Sequence, residues 1–420
     1  RARFADAVLK TDETVTLSFE SGRLKTTSYA QEQGTNLRVV ANGRMGCAGT
    51  TADDPAALLE AAFASARLGE TVELGLPEPT TLPVVRTHYP RAASASVDDL
   101  VRLGRAAMDR LARDGCQVNG IVERSIGSVR VTNSRGADAS YDVSSCSISA
   151  EVVRVRGDDV LIVSDYLAGA DLPELSAVEA MVTALQQKVG WAEQSASAPA
   201  GALPVCFTPA GAGALLLPLQ QACLGKSVLQ GISPLGDRVG TRMFSPGLTL
   251  SDDPLLDGRT GSRPVDDEGV PSRPLDLIRD GTVQGFVYDL ETAARAGVAP
   301  TGHGRRSTFG KPQAAYTNLL IAPGALSTTD LVATIGDGLL VEELLGVGQG
   351  NIIGGAFSHP VALAYRVSRG EVVGRVSDVA VSGNAYELLA RIRGLGREVK
   401  WSGSLAVPPL VIEGVSVTAR

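Results

Sequence analysis

Histidine, the residue most used for zinc binding and proton transfer, is scarce in this 420-residue sequence. The three histidines are His88, His303 and His359, and no two of them lie within one helical turn. Two imidazoles need i, i+4 spacing on a helix to converge on one tetrahedral zinc ion. The five cysteines include no C-x-x-C pair, so a thiolate zinc site and a disulfide framework both lack support. A helical histidine pair for zinc is therefore excluded.

Two runs of acidic residues have the side chains that hard cations prefer. Asp266, Asp267 and Glu268 are adjacent in "RPVDDEG", and Asp252 precedes Asp253 in "SDDP". Cation-binding loops usually alternate their ligands so that the oxygens converge. Adjacent carboxylates are more typical of solvated loops or of loops that cap backbone N–H groups. The sequence favours a solvated or capping role for both runs.

A basic turn is the most suggestive polar group in the second half. In "TGHGRRSTFG", His303 lies between two glycines and is followed by Arg305 and Arg306. An imidazole and two guanidiniums could bind a carboxylate or a peptide backbone. An exposed turn that pairs with the acidic loops is at least as well supported. His359, which precedes a proline in "FSHPVALAYRV", is interpreted as a strand-end histidine bonded to the backbone.

No other motif supplies a nucleophile or a phosphate site. The sequence has no G-x-S-x-G elbow, and "GVGQG" lacks the spacing of a nucleotide fingerprint, so it predicts a tight loop. Taken alone, the residues favour a binding or partner module over an enzyme.

The first half of the chain predicts a sheet covered by helices. The segments "TVTLSF", "RLKTTSY", "TNLRVVA" and "RMGCAGT", separated by "ESG", "QEQG" and "NG", indicate an antiparallel meander. The opening run "RARFADAVLK" is predicted to be the middle of a helix, with native residues expected before it. Three further helices, each with an apolar side, are predicted in "DDPAALLEAAFASARLG", "DDLVRLGRAAMDRLARDG" and "LSAVEAMVTALQQKVGWA".

The second half is richer in strands. After the Ser-, Ala- and Pro-rich run "EQSASAPAGALP" come a strand, "LPVCF", a helix, "GALLLPLQQA", and hairpins that turn at Asp280-Gly281 and Arg369-Gly370. We divide the chain into an N-terminal α/β domain, residues 1–195, and a C-terminal β-rich domain, residues 196–420. The predicted class is α+β, with an N-terminal antiparallel sheet and covering helices followed by a barrel-like domain.

The charge and the apolar content of the sequence argue against nucleic acid and membrane as partners. The net charge of -7 comes from 46 acidic and 39 basic residues mixed along the chain, without the basic stripe of a nucleic-acid-binding protein. No apolar run approaches the roughly 20 residues that span a bilayer. No signal-peptide pattern opens the sequence, so the expected location is the cytoplasm, with no nucleic acid or membrane as partner.

The order of several segments resembles one known family. The runs "FESGRLKTTSYAQEQGTNLRVVANGRMGCAGTT", "AALLEAAFASARLG", "DDEGVPSRPLDLIRDGTVQGFVYDLETAARAG", "TGHGRR", "YTNLLIAPG" and "SGNAYELLARIRGLG" resemble the TldD/TldE (PmbA) family. Its members were once called modulators of DNA gyrase and are now regarded as metallopeptidases of the U62 type. The resemblance is collinear over nearly the whole chain.

Within that family, the helix "GALLLPLQQA" separates two kinds of subunit. The TldD kind carries H-E-x-x-x-H after G-x-L-L, and a cysteine near the C-terminus completes its zinc site. In this chain Leu217 stands at the first His, Pro218 at the Glu and Ala222 at the second His, and the last cysteine is Cys223. These side chains cannot bind zinc or take a proton from its water. The resemblance therefore implies a TldE (PmbA) subunit without a metal, a cofactor or catalytic residues of its own.

The same resemblance implies a partner and a substrate. A TldD-type subunit would form a heterodimer with this chain and hold the zinc. The pair would act on unfolded peptides, including natural-product precursors and labile antitoxins, in a cleft between the subunits. Strand addition would orient such a peptide. The expected cleft-facing residues are His303, Arg305, Asn318, Asn351 and His359, in "TGHGRR", "YTNLL" and "GQGNIIGGAFSH".

Two other functions fit the sequence. A homodimeric protein could use the same cleft to hold a peptide without cutting it. Another alternative is a repurposed biosynthetic enzyme in which His303 or His359 has a new role.

Overall fold

An antiparallel sheet forms the first part of the computed structural model, which describes residues 2–419. Its strands are β1 Ala2–Glu20, β2 Arg23–Ala41, β3 Arg44–Thr50, β4 Cys116–Asn133, β5 Asp138–Arg156 and β6 Asp159–Gly169. They are ordered β3-β2-β1-β4-β5-β6. Ser21-Gly22 and Asn42-Gly43 make two of the turns, with positive φ at all four residues, as a type I′ hairpin turn requires.

The predicted meander is confirmed, with two corrections. The predicted helix at the start is wrong, because the chain is already in β1 at Ala2 and pairs on both sides, with β2 and β4. The predicted break at "QEQG" is also wrong, since β2 runs through it without interruption. Gly34 lies there because a Cβ would overlap the side chain of Thr308, not because the chain turns. Pairing with neighbouring strands overrides the local preference of both segments.

Four helices accompany this sheet: α1 Pro55–Leu68, α2 Pro90–Ala93, α3 Val97–Leu111 and α4 Leu175–Trp191. The side chain of Asp54 accepts the N–H of Ala57 and begins α1, and a capping box between Ser96 and Asp99 begins α3. The buried apolar faces predicted for α3 and α4 are confirmed. These faces cover the sheet and exclude water from it.

The second part contains the remaining strands and helices. The strands are β7 Gly201–Phe207, β8 Leu250–Asp252, β9 Leu275–Arg279, β10 Thr282–Val283, β11 Gly304–Arg305, β12 Gln313–Ala314, β13 Leu319–Ile321, β14 Gly338–Leu344, β15 Ala356–Ser368, β16 Glu371–Val376, β17 Val379–Asn384, β18 Ile392–Leu395, β19 Lys400–Ser402, β20 Leu405–Val407 and β21 Leu410–Ala419. The helices are α5 Gly213–Ala222, α6 Gly225–Leu229, α7 Leu290–Ala296, α8 Thr328–Ala333 and α9 Ala385–Leu389.

Five of these strands close into a barrel. β7 pairs with β14, β14 with β15, β15 with β17, β17 with β21, and β21 again with β7. A second sheet, in the order β10-β9-β8-β13-β20-β19, and a β11-β12 ribbon flank it. The predicted turns at Asp280-Gly281 and Arg369-Gly370 are present with positive φ. The predicted α+β class with a barrel-like second part is confirmed.

One apolar core extends from the first sheet to the barrel. Leu17 and Phe19 of β1 belong to the same buried cluster as Cys206 of β7, Tyr365 of β15 and Val411 of β21. The predicted division at residues 195 and 196 falls between α4 and β7, and as a boundary between independent domains it stays a prediction. None of the helices within residues 2–419 is long and apolar enough to cross a membrane.

Candidate functional site

The helix "GALLLPLQQA" is confirmed as α5 and packs mainly through leucines. Leu215, Leu216 and Leu219 are buried among the core residues of the second part. Pro218 lies inside the helix, where it lacks the N–H that would bond to the carbonyl four residues earlier. The hydroxyl of Tyr386 lies 3.2 Å from the carbonyl oxygen of Pro218 and 2.7 Å from that of Ile353. Tyr386 thereby ties α5 to α9 and to the short turn at Ile352–Gly354.

The side chains of α5 do not fit a zinc ion. Leu217 is half-buried beside Gly348, and Ala222 is fully buried. Burial raises the pKa of the adjacent Cys223 thiol to about 12, so a thiolate is disfavoured at neutral pH. Within residues 2–419, no group of three or more His, Cys, Asp or Glu side chains could hold a metal together. The hydrocarbon side chains of Leu217, Pro218 and Ala222 offer no metal-binding atom.

Two open cavities meet between α6 and β12, and the smaller one reaches the C-terminal end of α5. One, of about 860 Å³, lies by α6, α7 and the loop that joins β11 to β12. The other, of about 620 Å³, is lined by the end of α5, by α6, by β12 and by the turn at Ile352–Gly354. Lys226, Gln230, Gln313 and Ala315 line both cavities. We call the continuous cleft the β12 groove.

The strand β12 presents an open edge to this groove. Its partner in the two-stranded ribbon is β11, and Ala315 donates its N–H to the carbonyl of His303 at 2.9 Å. Backbone groups of successive strand residues point to opposite sides, so the N–H and C=O of Ala314 point away from β11. Within residues 2–419 no strand pairs with that edge. An extended peptide could add there through main-chain hydrogen bonds.

The five predicted site residues occupy three kinds of position. Arg305 is exposed and lines the larger cavity, and Asn351 is exposed and lines the smaller one. His303 and Asn318 are fully buried behind them. His359 is half-buried on β15, where its ring stacks on Phe357 with centroids 5.7 Å apart, and it lines neither cavity.

The two buried residues, His303 and Asn318, form hydrogen bonds that hold neighbouring loops together. His303 Nε2 lies 3.0 Å from the carboxylate of Asp252, and its Nδ1 contacts Thr301. Asn318 donates to the carbonyl of Asp253 at 2.7 Å and to the hydroxyl of Ser262 at 2.8 Å. Both side chains therefore fix the segment next to β8 against the loops that carry the groove.

The acidic run 266–268 is buried, so its predicted solvated role is wrong and its capping role is confirmed. Asp266 accepts N–H bonds from Glu268 and Val270 at 2.9 Å and from Gly304 at 2.8 Å. Asp267 accepts the N–H of Arg306 at 2.8 Å. The predicted pairing of the basic turn with acidic loops is thus present, but the turn is largely buried rather than exposed.

Buried charges join the first sheet to these loops. Arg38 of β2 donates to Asp6 of β1 at 2.8 Å and to Glu268 at 2.5 Å, while Arg306 also pairs with Asp6. All four side chains are almost completely buried. Burial raises the pKa of Glu268 to about 7, although Arg38 opposes this rise, and it lowers the pKa of Arg306 to about 9. Nearby Lys10 pairs with Asp267 at 2.6 Å.

Sequence patterns did not point to Lys226, Gln230 or Gln313. They lie in no motif, and they meet because α6 and the β11-β12 ribbon, distant in the sequence, pack on opposite sides of one groove. A free strand edge becomes visible only when the pairing of its neighbours is known.

The chain has an open antiparallel sheet followed by a closed barrel, and it matches models of the metallopeptidase class in both parts. The family model of the PmbA/TldA metallopeptidase C-terminal domain matches residues 200–419. The model of PmbA/TldA metallopeptidase domain 1 matches residues 5–66. The chain belongs to the PmbA/TldD metallopeptidase family, as its sequence resemblance predicted.

Three individual proteins illustrate the similarity. The crystal structure of TldE from Thermococcus kodakarensis superposes with a TM-score of 0.90 at 27% identity, covering 100% of this chain and 97% of that one. A metalloprotease of Methanothermobacter thermautotrophicus is 25% identical over 410 residues, 95% of this chain and 89% of the relative. A metalloprotease TldD homolog of Haemophilus influenzae is 32% identical over 198 residues, 47% of this chain and 41% of its own length.

Proposed function

We propose that this chain is the non-catalytic subunit of a two-subunit zinc peptidase. Its partner is a TldD-type subunit that carries the H-E-x-x-x-H helix and the zinc ion. This chain contributes part of the wall of a peptide-binding cleft and holds an extended substrate for the partner. The substrates are unfolded peptides, natural-product precursors among them, and the pair works in the cytoplasm.

The observation that carries this proposal is the chemistry of α5. The positions where the family resemblance expects two zinc-binding histidines and a general base hold Leu217, Ala222 and Pro218. None of them has an atom that binds zinc or accepts a proton. The helix nevertheless keeps its place against the barrel core. A peptidase family member with such a helix requires its catalytic groups from another chain.

The β12 groove supports the role in substrate binding. It lies next to the end of α5, and the outward N–H and C=O of Ala314 can pair with an extended peptide. In this proposal Arg305 and Asn351 contact the peptide from the groove walls. His303 and Asn318 hold the loops in position, whereas His359 lies outside both cavities of the β12 groove and is given no contact with the peptide.

Co-expression with a TldD-type subunit tests the assignment. We expect a stable one-to-one complex in light-scattering chromatography, with zinc in the complex and none in the free chain. The complex should cleave an unstructured peptide, and a chelator or a His→Ala change in the partner's motif should abolish cleavage. The free chain, treated identically, is the control and should be inactive.

Three results would overturn the proposal. One is a partner that cleaves equally fast alone and forms no complex. Another is a free chain that binds zinc and cleaves peptide. The third is a stable homodimer of this chain without affinity for a TldD-type subunit, which would favour the peptide-holding homodimer instead.

A further inference from the structure

We propose that the β12 groove selects peptides with acidic side chains. This inference rests on the proposed peptide-binding function and adds a substrate class to it. It is carried by the charges around the groove, by their internal pairing and by the free edge of β12.

The groove is basic although the chain is acidic. The net charge of the chain is -7, whereas six basic and three acidic residues line the larger cavity. The smaller cavity adds no acidic residue, and its one charged residue is Lys226, which both cavities share. A cleft lined with charge of one sign concentrates ligands of the opposite sign.

Three of the basic side chains are neutralised within the protein. Lys10 pairs with Asp267 at 2.6 Å, Arg306 pairs with Asp6, and Arg295 lies 3.8 Å from Glu291. These residues contribute little net attraction to a ligand.

The other three basic residues of the groove, Lys226, Arg305 and Lys311, are not neutralised by a carboxylate in the described part of the chain. Within residues 2–419 none of them forms an ion pair, and all three are exposed on the groove wall. The remaining acidic lining residues are Glu70, which is exposed, and Asp289, whose carboxylate accepts the N–H of Thr292 at the start of α7. The balance of unpaired charge in the groove is therefore positive.

The position of these three cations relative to β12 indicates that the groove favours a peptide with acidic side chains. Arg305 is the β11 residue opposite Gln313, Lys311 precedes β12 by two residues, and Lys226 reaches the groove from α6. A peptide that adds to the open edge at Ala314 would lie on the side of β12 away from β11, in the groove that all three cations line. Its side chains alternate across the added strand, and acidic ones can approach ammonium or guanidinium groups on either side.

Peptide binding to the full-length chain tests the preference. The probes are a fluorescein-labelled peptide of alternating Glu and Thr and two matched peptides with Gln or Lys in place of Glu. Fluorescence anisotropy should give a Kd about tenfold lower for the Glu peptide than for the Gln peptide at low salt, as expected for three exposed ion pairs. The Lys peptide should bind most weakly. The preference should shrink as salt shortens the screening length from about 10 Å at 0.1 M to about 3 Å at 1 M.

Two triple variants test whether the three groove cations cause the preference for the Glu peptide. The triple variant Lys226→Gln, Arg305→Gln, Lys311→Gln should bind the Glu and Gln peptides with Kd values within about twofold of each other. The matched control removes three exposed basic residues that lie outside both cavities and form no ion pair within residues 2–419, Arg23→Gln, Arg67→Gln and Arg105→Gln, and should keep the full preference. Circular dichroism and thermal unfolding of both triple variants establish that they are folded.

The outcomes separate this inference from the proposed function. Equal affinity for the Glu and Gln peptides, equal loss of preference in both triple variants, or no binding to the free chain would each overturn the acidic selectivity. A cleaving complex with a TldD-type subunit would leave the proposed function standing in all three cases. Conversely, a clear acidic preference in a chain that joins no such partner would refute the subunit role alone.

Discussion

At the scale of single residues, the buried carboxylate of Glu268 sets how the charged junction responds to pH. Glu268 lies between Arg38, which attracts it, and Asp266 and Asp289, which repel it. It also accepts the N–H of Leu290 at 2.7 Å. Complete burial is the largest influence and raises its pKa to about 7. The side chain therefore titrates in the physiological range, where ordinary glutamates do not.

The folded protein should lose stability as Glu268 ionises. A pKa that is higher in the folded state than in the unfolded chain gives stability that is fully present below about pH 4.5 and lost as pH rises through about 7. The full effect is on the order of 3 kcal/mol. The variant Glu268→Gln cannot titrate, so its free energy of unfolding, measured in urea between pH 5 and pH 8, should change less than that of the wild type.

A surface carboxylate provides the control for this experiment. Glu20 is exposed beside Lys25, and Glu20→Gln should follow the pH profile of the wild type. Parallel profiles for the wild type and Glu268→Gln would show that this carboxyl does not titrate in the range.

At the scale of elements, two helical glycines show how packing decides the effect of one methyl group. Gly104 of α3 faces Phe19 of β1, and a Cβ at this position would lie 2.3 Å from two ring atoms. Gly190 of α4 has no atom within 4 Å of an added Cβ. Both residues are helical, so their intrinsic preference for alanine is similar.

Opposite effects on stability follow from this difference. Gly104→Ala should lower the free energy of unfolding by about 1–3 kcal/mol, because α3 must move away from the sheet. Gly190→Ala should raise it by up to about 1 kcal/mol, because the helix gains propensity without a clash. Urea denaturation of the two variants measures both changes. Equal shifts in one direction would contradict the packing of α3 on β1.

Sequence alone predicted these elements to different degrees. The apolar face of α3 and the paired turn residues at Asp280-Gly281 carry local signals, and both were predicted. The strand at residues 2–10 was not, because only pairing with β2 and β4 makes this segment a strand. The acidic run 266–268 was expected to be solvated or to cap backbone N–H groups, and its burial was not predicted, since nothing local indicates that Arg38 and the N–H of Gly304 lie against it.

At the scale of the whole molecule, the shared core should make unfolding a single event. The cluster that contains Leu17, Phe19, Cys206, Tyr365 and Val411 spans the predicted domain boundary. Asp6 is buried between two arginines, one from each part of the chain. Separation of the two parts would expose apolar surface and leave buried charges without partners, at a cost of several kcal/mol.

The two tryptophans can report on two places, Trp191 on the contact between the two parts and Trp401 on the second part. Trp191 ends α4 and packs edge-on against Tyr365 with ring centroids 5.3 Å apart, while Trp401 lies under the guanidinium of Arg259. The single-tryptophan variants Trp401→Phe and Trp191→Phe should each unfold cooperatively, with each reporter's midpoint matching that of circular dichroism on the same variant. Fluorescence and circular dichroism midpoints that differ within one variant would contradict a single cooperative unit.

The closure of the barrel also has a consequence for the timing of synthesis. β21 lies between β7 and β17 and pairs Leu410 with Phe207, about 200 residues earlier in the chain. A nascent chain that has emerged only as far as β17 has an open barrel with two unsatisfied edges. Contacts of such long range form slowly. The first sheet can assemble while the ribosome is still elongating the chain, but the wall that carries α5 cannot close until residue 419 has left the exit tunnel.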